Sequence, residues 1–257
     1  MKVDLKLIPS EVLDYDVRDR MVVVVDVFRA TSTMITALSN GVDYVLPVER
    51  VEEAFQLRKI LKGDVILAGE RKSLKIEGFD LCNSPTEILR RKDDLPGKGM
   101  ILTTTNGTKA ITSHSEVDDM IIGSFLNIGS SVDFVTMKGK DVLLVCSGAN
   151  GRFSIEDFIF CGEFIDRMIS KNKEVELSSS AYVARKFCAD NIENLNEIIM
   201  VGEHTKNLIK LGFEDDVKYC LRRDVYHIIA KADRVTVSGK EYVVFRSIPS
   251  ISHNPVS

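Results

Sequence analysis

Four polar segments, each at the end of an apolar run, hold the residues that could do chemistry. The first is Asp26-Val-Phe-Arg29-Ala-Thr31-Ser32-Thr33. A carboxylate there can hold a hard cation, and hydroxyls opening a helix can hold phosphate oxygens. The plainer reading is that Asp26 caps the helix after it. The second is Gly69-Glu70-Arg71, followed by Glu77 to Pro85 through Asp80 and Asn83. Its acid and guanidinium either face a ligand or form a surface salt bridge. The third is Thr103-Thr104-Thr105-Asn106-Gly107-Thr108. A helix rather than a second strand follows it, so its hydroxyls and exposed N–H groups suit an anion. A β-turn with a capping Thr is the ordinary alternative, and the GxxxxGK[ST] order of a Walker loop is absent. The fourth is Cys146-Ser147-Gly148-Ala-Asn-Gly151-Arg152-Phe-Ser154-Ile-Glu156-Asp157. Its glycines allow close backbone approach, and Arg152 can clamp an oxyanion with its fork. Glu156 and Asp157 in the first helical turn suit either the helix dipole or a divalent cation.

Taken together, these segments supply Arg29, Arg71 and Arg152, the acids Asp26, Glu70, Glu156 and Asp157, and many hydroxyls. That inventory suits a polyanionic small molecule and a hard metal such as Mg²⁺. The expected metal ligands are the four acids. Asp26, Glu70, Arg29 and Arg152 are the expected catalytic residues. Thr31, Ser32, Arg71, Asn83, Thr104, Thr105, Asn106, Gly107, Thr108, Ser147, Gly148 and Ser154 are expected to bind substrate. A serine hydrolase is not indicated, since no GxSxG occurs. The four His (114, 204, 227 and 253) are scattered and none is near these loops in sequence, which gives no His metal box. The five Cys form no CxxC pair and read as free thiols. A thiolate nucleophile at Cys146 is the alternative to reading Cys82 and Cys146 as packing residues.

The elements that must position these segments follow from periodicity. Met21 to Val25 is a β-branched run typical of a strand buried on both faces. Ala30 to Leu38 reads as a helix stopped by Asn40-Gly41, Tyr44 to Val48 as a strand, and Val51 to Leu61 as an amphipathic helix. Val65 to Ala68 and Met100 to Leu102 read as strands. Between them Ser84-Pro85-Thr86-Glu87 has the form of a capping box with proline in the first turn. Asp119 to Ile122 and Asp141 to Val145 are further strands, separated by a helix over Asn127 to Met137. Ser154, with Asp157 completing another capping box, opens a long helix to about Ser170. Helices are expected at Ser178 to Cys188, Glu193 to Ile199, Glu203 to Leu211 and Asp215 to Ala230. Strands at Arg234 to Ser238 and Glu241 to Arg246 join through Ser238-Gly239-Lys240.

Alternation of strand and helix with short connections predicts an α/β fold, a sheet covered by helices. Its sheet should be largely parallel to mixed, within a single domain spanning 1–257. Ligands in such sheets bind beyond the carboxyl ends of strands, where all four segments lie. The 257 residues are 44% apolar and 28% charged, with a net charge of −4. No basic face for nucleic acid and no membrane-spanning stretch is apparent. The N-terminal residues show no signal-peptide pattern, and a cytoplasmic location is expected.

The segments, in their order along most of the chain, resemble the 2-phosphosulfolactate phosphatase family of coenzyme M biosynthesis. The matching stretches are Val25 to Thr33, Ala68 to Arg71 with Gly78 to Pro85, Thr103 to Thr108, and Ser147 to Asp157. A weaker fifth runs from His204 to Asp216, with Tyr219-Cys220 after it. The resemblance implies a family-specific three-layer α/β/α fold, Mg²⁺ dependence and a homodimer. It also implies hydrolysis of 2-phospho-3-sulfolactate to 3-sulfolactate and phosphate. Cys82 departs from the pattern, standing where glycine is expected. Two chemical routes stay open at this point: attack by Asp26 to give an aspartyl-phosphate, or attack by metal-activated water. The second acid of the DxDx[TV] motif is replaced by Phe28, so that motif's mechanism does not carry over. Water attack is preferred. Other possibilities are a phosphatase of another phosphorylated 2-hydroxy acid, a non-catalytic anion or nucleotide binder, and a phosphotransferase or lyase.

Overall fold

The structure is a computed structural model, and it describes residues 1–12, 17, 19–61, 64–113, 117, 119–171 and 174–250. His114 and His253 lie outside the described residues. Along the chain the elements begin with β1 (Lys2–Lys6), β2 (Met21–Val25), α1 (Ala30–Ser39), β3 (Tyr44–Pro47), α2 (Val51–Ile60), β4 (Val65–Arg71) and β5 (Leu74–Lys75). Then come α3 (Pro85–Arg90), β6 (Gly99–Thr103), α4 (Gly107–Thr112), β7 (Met120–Gly123), α5 (Ile128–Lys138), β8 (Val142–Cys146) and α6 (Ile155–Lys171). The chain continues through β9 (Glu176–Leu177), α7 (Ser179–Asp190), α8 (Leu195–Met200), α9 (Glu203–Lys210) and α10 (Glu214–Cys220), and closes with β10 (Ile228–Val237) and β11 (Lys240–Pro249).

The eleven strands form one sheet in the order β5-β4-β6-β3-β11-β10-β7-β2-β8-β1-β9. Its strands divide their side chains between two faces because successive Cβ atoms alternate. Met21, Val23 and Val25 of β2 join the core under α5, α6 and α7, while Val22 and Val24 join the core around α1. Leu143 and Val145 of β8, Val45 of β3 and Met100 and Leu102 of β6 reach that second core too. Each Val of β2 is fully buried, and each such burial contributes roughly 1.5–3 kcal/mol. This is the three-layer α/β/α arrangement expected from the sequence.

The centre of the sheet was not legible. β4, β6 and β3 form one parallel block, and β7, β2, β8, β1 and β9 form another. The hairpin β10–β11 lies between them, and all three of its ladders are antiparallel. The two blocks therefore run in opposite senses along the sheet. Roughly 20–25° of twist per neighbouring pair, more in a long two-stranded ribbon, turns one block against the other. The end of β2 meets the loop after β6, with Gly107 packed against Asp26 and Ala30.

Two expectations need correction. Asp215 to Ala230 is not one helix: α10 ends at Cys220, and β10 begins at Ile228. Asp224 has φ 54°, which breaks the helix, and the β-branched pair Ile228-Ile229 then pairs in the sheet. The structure also adds β1, a strand of five residues in which Val3 and Leu5 alternate with polar neighbours and leave only a weak sequence signal. The hairpin turn was placed correctly. Ser238 and Gly239, at φ 51° and 81°, form the two-residue connection that the strand twist favours.

Candidate active site

Four loops converge at the ends of β2, β4, β6 and β8 because specific contacts tie them together. Asn150 N–H donates to Asn106 Oδ1 at 2.9 Å, joining the loops after β8 and β6. Glu70 links the second and third segments by accepting Thr105 N–H at 2.7 Å and Ser73 N–H at 2.6 Å. Gly107 lets the loops close up: a Cβ there would lie 2.4 Å from Ala30 Cβ and 2.6 Å from Asp26 Oδ2. Gly148, at φ 66°, would bring a Cβ within 2.5 Å of the Arg152 carbonyl. Between the loops lies a cavity of about 610 Å³. Its walls include Asp26, Arg29, Glu70, Arg71, Lys72 and His204. A second cavity of about 690 Å³ adjoins it, and His204, Asn150 and Asn207 line both.

Three of the four acids sit on the β2 and β8 side, while Glu70 belongs to β4. Asp26 is 5% exposed and accepts Ala30 N–H at 3.2 Å. Burial pushes its carboxyl up to about 6, against the pull of His204 and the Ala30 N–H. Asp157 accepts Val27 N–H at 2.9 Å, the Ser147 hydroxyl at 3.2 Å and Gly148 N–H at 3.3 Å. Its carboxylate therefore braces two loops and does not complete a capping box with Ser154. Burial, then the charges of Glu156 and Asp26, push Asp157 well up, while the Val27 and Ser147 donors pull it down. Glu156 Oε1 lies 2.8 Å from His204 Nδ1. Burial alone would lower His204, but Glu156 and Asp26 outweigh it and raise the imidazole above its usual value.

The positive groups divide unequally. Arg29 is 2% exposed and bonds Asp216 at 2.7 Å, while its guanidinium lies 3.9 Å from the Phe213 ring centroid. Asp216 also accepts from the Ser84 and Thr86 hydroxyls. The charge of Arg29 is thus matched inside the protein, although the residue lines the cavity. Arg71 instead donates to the carbonyl oxygens of Glu70 and Glu49, so those bonds leave its charge uncompensated. Lys72 lies beside it on the wall. Arg152 is exposed and lines the second cavity together with Ser154.

Several hydroxyls expected at the ligand are occupied locally. Thr31 and Ser32 donate to the carbonyl oxygens of Asp26 and Val27. Thr104 and Thr108 cap one another reciprocally. Thr104, Thr105, Asn106 and Asn83 do line the cavity. Asn83 Oδ1 is buried with no hydrogen-bond partner among the described residues. Ser84 caps α3 through Glu87 N–H, but the Glu87 carboxylate reaches Cys82 N–H instead of closing the box.

Cys146 and Arg152 are separated by five residues, the spacing of the CxxxxxR loop in cysteine phosphatases. The structure gives them no joint role. The Cys146 thiol is 3.7 Å from that of Cys161 in the core, and this contact together with burial raises it well above its usual value. A high thiol pKa disfavours the thiolate nucleophile.

The fit to Mg²⁺ depends on which carboxylates still face the cavity. Glu70 and Asp157 give both oxygens to donors of the protein, and Glu156 engages His204. Among the described residues no three acidic, His or Cys side chains converge as a ready-made cation site. Mg²⁺ is commonly held by one or two carboxylates, water and the substrate's own phosphate. Asp26, buried at the cavity wall, fits that mode.

Sequence reasoning passed over His204, Lys72, Asn150 and Asp216 as site residues. The weak His204-to-Asp216 stretch was the one signal available for two of them. Comparison with known proteins gives a consistent picture. The sequence profile of a family described as 2-phosphosulpholactate phosphatase matches residues 6–234. A protein of Clostridium novyi named "Probable 2-phosphosulfolactate phosphatase" is 38% identical over 229 residues, covering 89% of this chain and 96% of that protein. One of the same name from Thermotoga petrophila is 44% identical over 211 residues, covering 82% and 88%.

Proposed function

We propose that this chain, which belongs to the 2-phosphosulpholactate phosphatase family, hydrolyses 2-phospho-3-sulfolactate to 3-sulfolactate and inorganic phosphate with Mg²⁺ as cofactor. The observation that carries this reading is the 610 Å³ cavity, which the buried carboxylate of Asp26 lines together with Arg71 and Lys72. A substrate bearing phosphate, carboxylate and sulfonate needs cationic groups at the wall, and Arg71 and Lys72 are placed there.

In this reading Asp26 is the residue that would hold the metal. Bound Mg²⁺ would neutralise phosphoryl charge and activate water for in-line attack. Arg71 and Lys72 bind and orient the anionic groups, and Asn83, Thr105 and Asn106 offer neutral contacts. Arg29 shapes the wall and holds its loop to Asp216 and Ser73, so its role is positioning. Arg152 reaches the substrate only from the second cavity. The proposal extends to a single-domain homodimer acting in the cytoplasm; no helix among the described residues is long and apolar enough to cross a membrane.

Phosphate release from a panel of phosphorylated 2-hydroxy acids, with and without EDTA, tests the reading. Mg²⁺-stimulated release, fastest on 2-phospho-3-sulfolactate and lost in Asp26→Asn, is expected. Binding without release would make the protein an anion binder. Faster turnover of another ester would reassign its substrate.

A further inference from the structure

Hydrolysis of a 2-phosphorylated hydroxy acid leaves an alkoxide, a far poorer leaving group than a phenolate or a nucleotide phosphate. We propose that His204 is the catalytic acid that protonates this leaving oxygen, with Glu156 as its positioning residue; the inference rests on the phosphatase reading above.

The geometry is that of an oriented imidazole. Glu156 is 1% exposed in the first turn of α6 and lies 2.8 Å from Nδ1. An ionised carboxylate only accepts, so Nδ1 donates to it. The same carboxylate favours the imidazolium, whose second proton sits on Nε2; in the neutral ring that nitrogen is an acceptor. Nε2 has no hydrogen-bond partner among the described residues, and His204 lines the cavity with Asp26 and Thr104. The ring is further fixed by an edge contact to Phe28, with centroids 6.4 Å apart. The helix carrying it is anchored too: the Thr205 hydroxyl donates to the Ile199 carbonyl at 2.9 Å. A histidine serving only to tie α9 to α6 would not need to line both cavities.

The step balances without another reactant. Water oxygen bonds to phosphorus as the bond from phosphorus to the C2 oxygen breaks. The electron pair of that bond goes to the C2 oxygen, which takes the Nε2 proton. The product alcohol and dihydrogen phosphate leave neutral His204, and the phosphate's extra proton returns to it directly or through solvent. In a loose transition state the attacking water needs little help from a base, so the demanding proton is the one on the leaving group.

The test compares two esters of one shape, 2-phospholactate and 2-phospho-3,3,3-trifluorolactate, whose leaving alcohol is much more acidic. For His204→Gln, kcat should fall about 10²–10⁴-fold on the first and less than about tenfold on the second, with KM little changed. Glu156→Gln should show the same selectivity with a smaller loss, and it carries the test if His204→Gln does not fold. An equal loss on both esters, or none on 2-phospholactate, would overturn the role of His204. Failure of the wild-type protein to release phosphate from any phosphorylated 2-hydroxy acid would instead overturn the phosphatase reading.

Discussion

The β2–β8 block and the β4–β6 block contribute opposite halves of the candidate site. The first supplies Asp26, Glu156, Asp157 and the imidazole of α9, all buried or partly so. The second supplies Arg71 and Lys72 with the polar loop of Thr104 to Asn106, and its one acid, Glu70, is spent on the Ser73 and Thr105 N–H groups. Burial on the acid side shifts proton affinities, whereas partial exposure on the basic side leaves charges free to meet an anion. The contrast teaches that chemistry and recognition can sit on separate blocks of one sheet. They meet only through contacts such as Gly107 against Asp26 and Asn150 to Asn106.

The largest effect should come from the acid half. Asp26→Asn should lower kcat by about 10³-fold or more, read as Mg²⁺-stimulated phosphate release. The same substitution should stabilise the metal-free protein at pH 8 by about 3 kcal/mol, the equivalent of the rise from 3.8 to about 6. The sign follows from the raised value. The carboxyl's favourable contribution is complete below its unfolded value and is lost as pH climbs through about 6. The difference in melting temperature between Asp26→Asn and wild type should therefore shrink toward pH 4, and a constant gap would contradict the burial cause.

The join should break next. Gly107→Ala puts a methyl against Ala30 and Asp26, and should cost about 1–3 kcal/mol of unfolding free energy in denaturant titration with a clear fall in kcat. Unchanged activity would mean that the two halves need not meet so closely. The smallest effect belongs to the basic half. Lys72→Ala should raise KM about tenfold, about 1.4 kcal/mol, with kcat nearly unchanged, as expected when uniform binding is lost. A fall in kcat alone would place Lys72 in the chemistry.

Much was legible in the chain itself. The Val run of β2, the cap at Ser84-Pro85 and the four polar segments follow from local periodicity and turn chemistry, which act over a few residues. The same locality explains the miss at Asp215 to Ala230, where helical spacing hid a strand that only pairing with β7 and β11 stabilises. It also explains the hydroxyls of Thr31, Ser32 and Thr108, whose types suited a ligand but whose nearest acceptors are their own loop.

By itself the sequence determined which residues could make strands buried on both faces and which polar groups would stand at their ends. The tertiary structure decided which of those groups face one another. The β10–β11 hairpin lies between two blocks of opposite sense, and Asp26 still meets the loop after β6 at Gly107. The tertiary structure also brought His204 to Glu156, 48 residues away, and matched Arg29 with Asp216 across 187 residues. Such partnerships leave no local pattern, since they arise from chain reversal and packing rather than from the order of neighbouring residues.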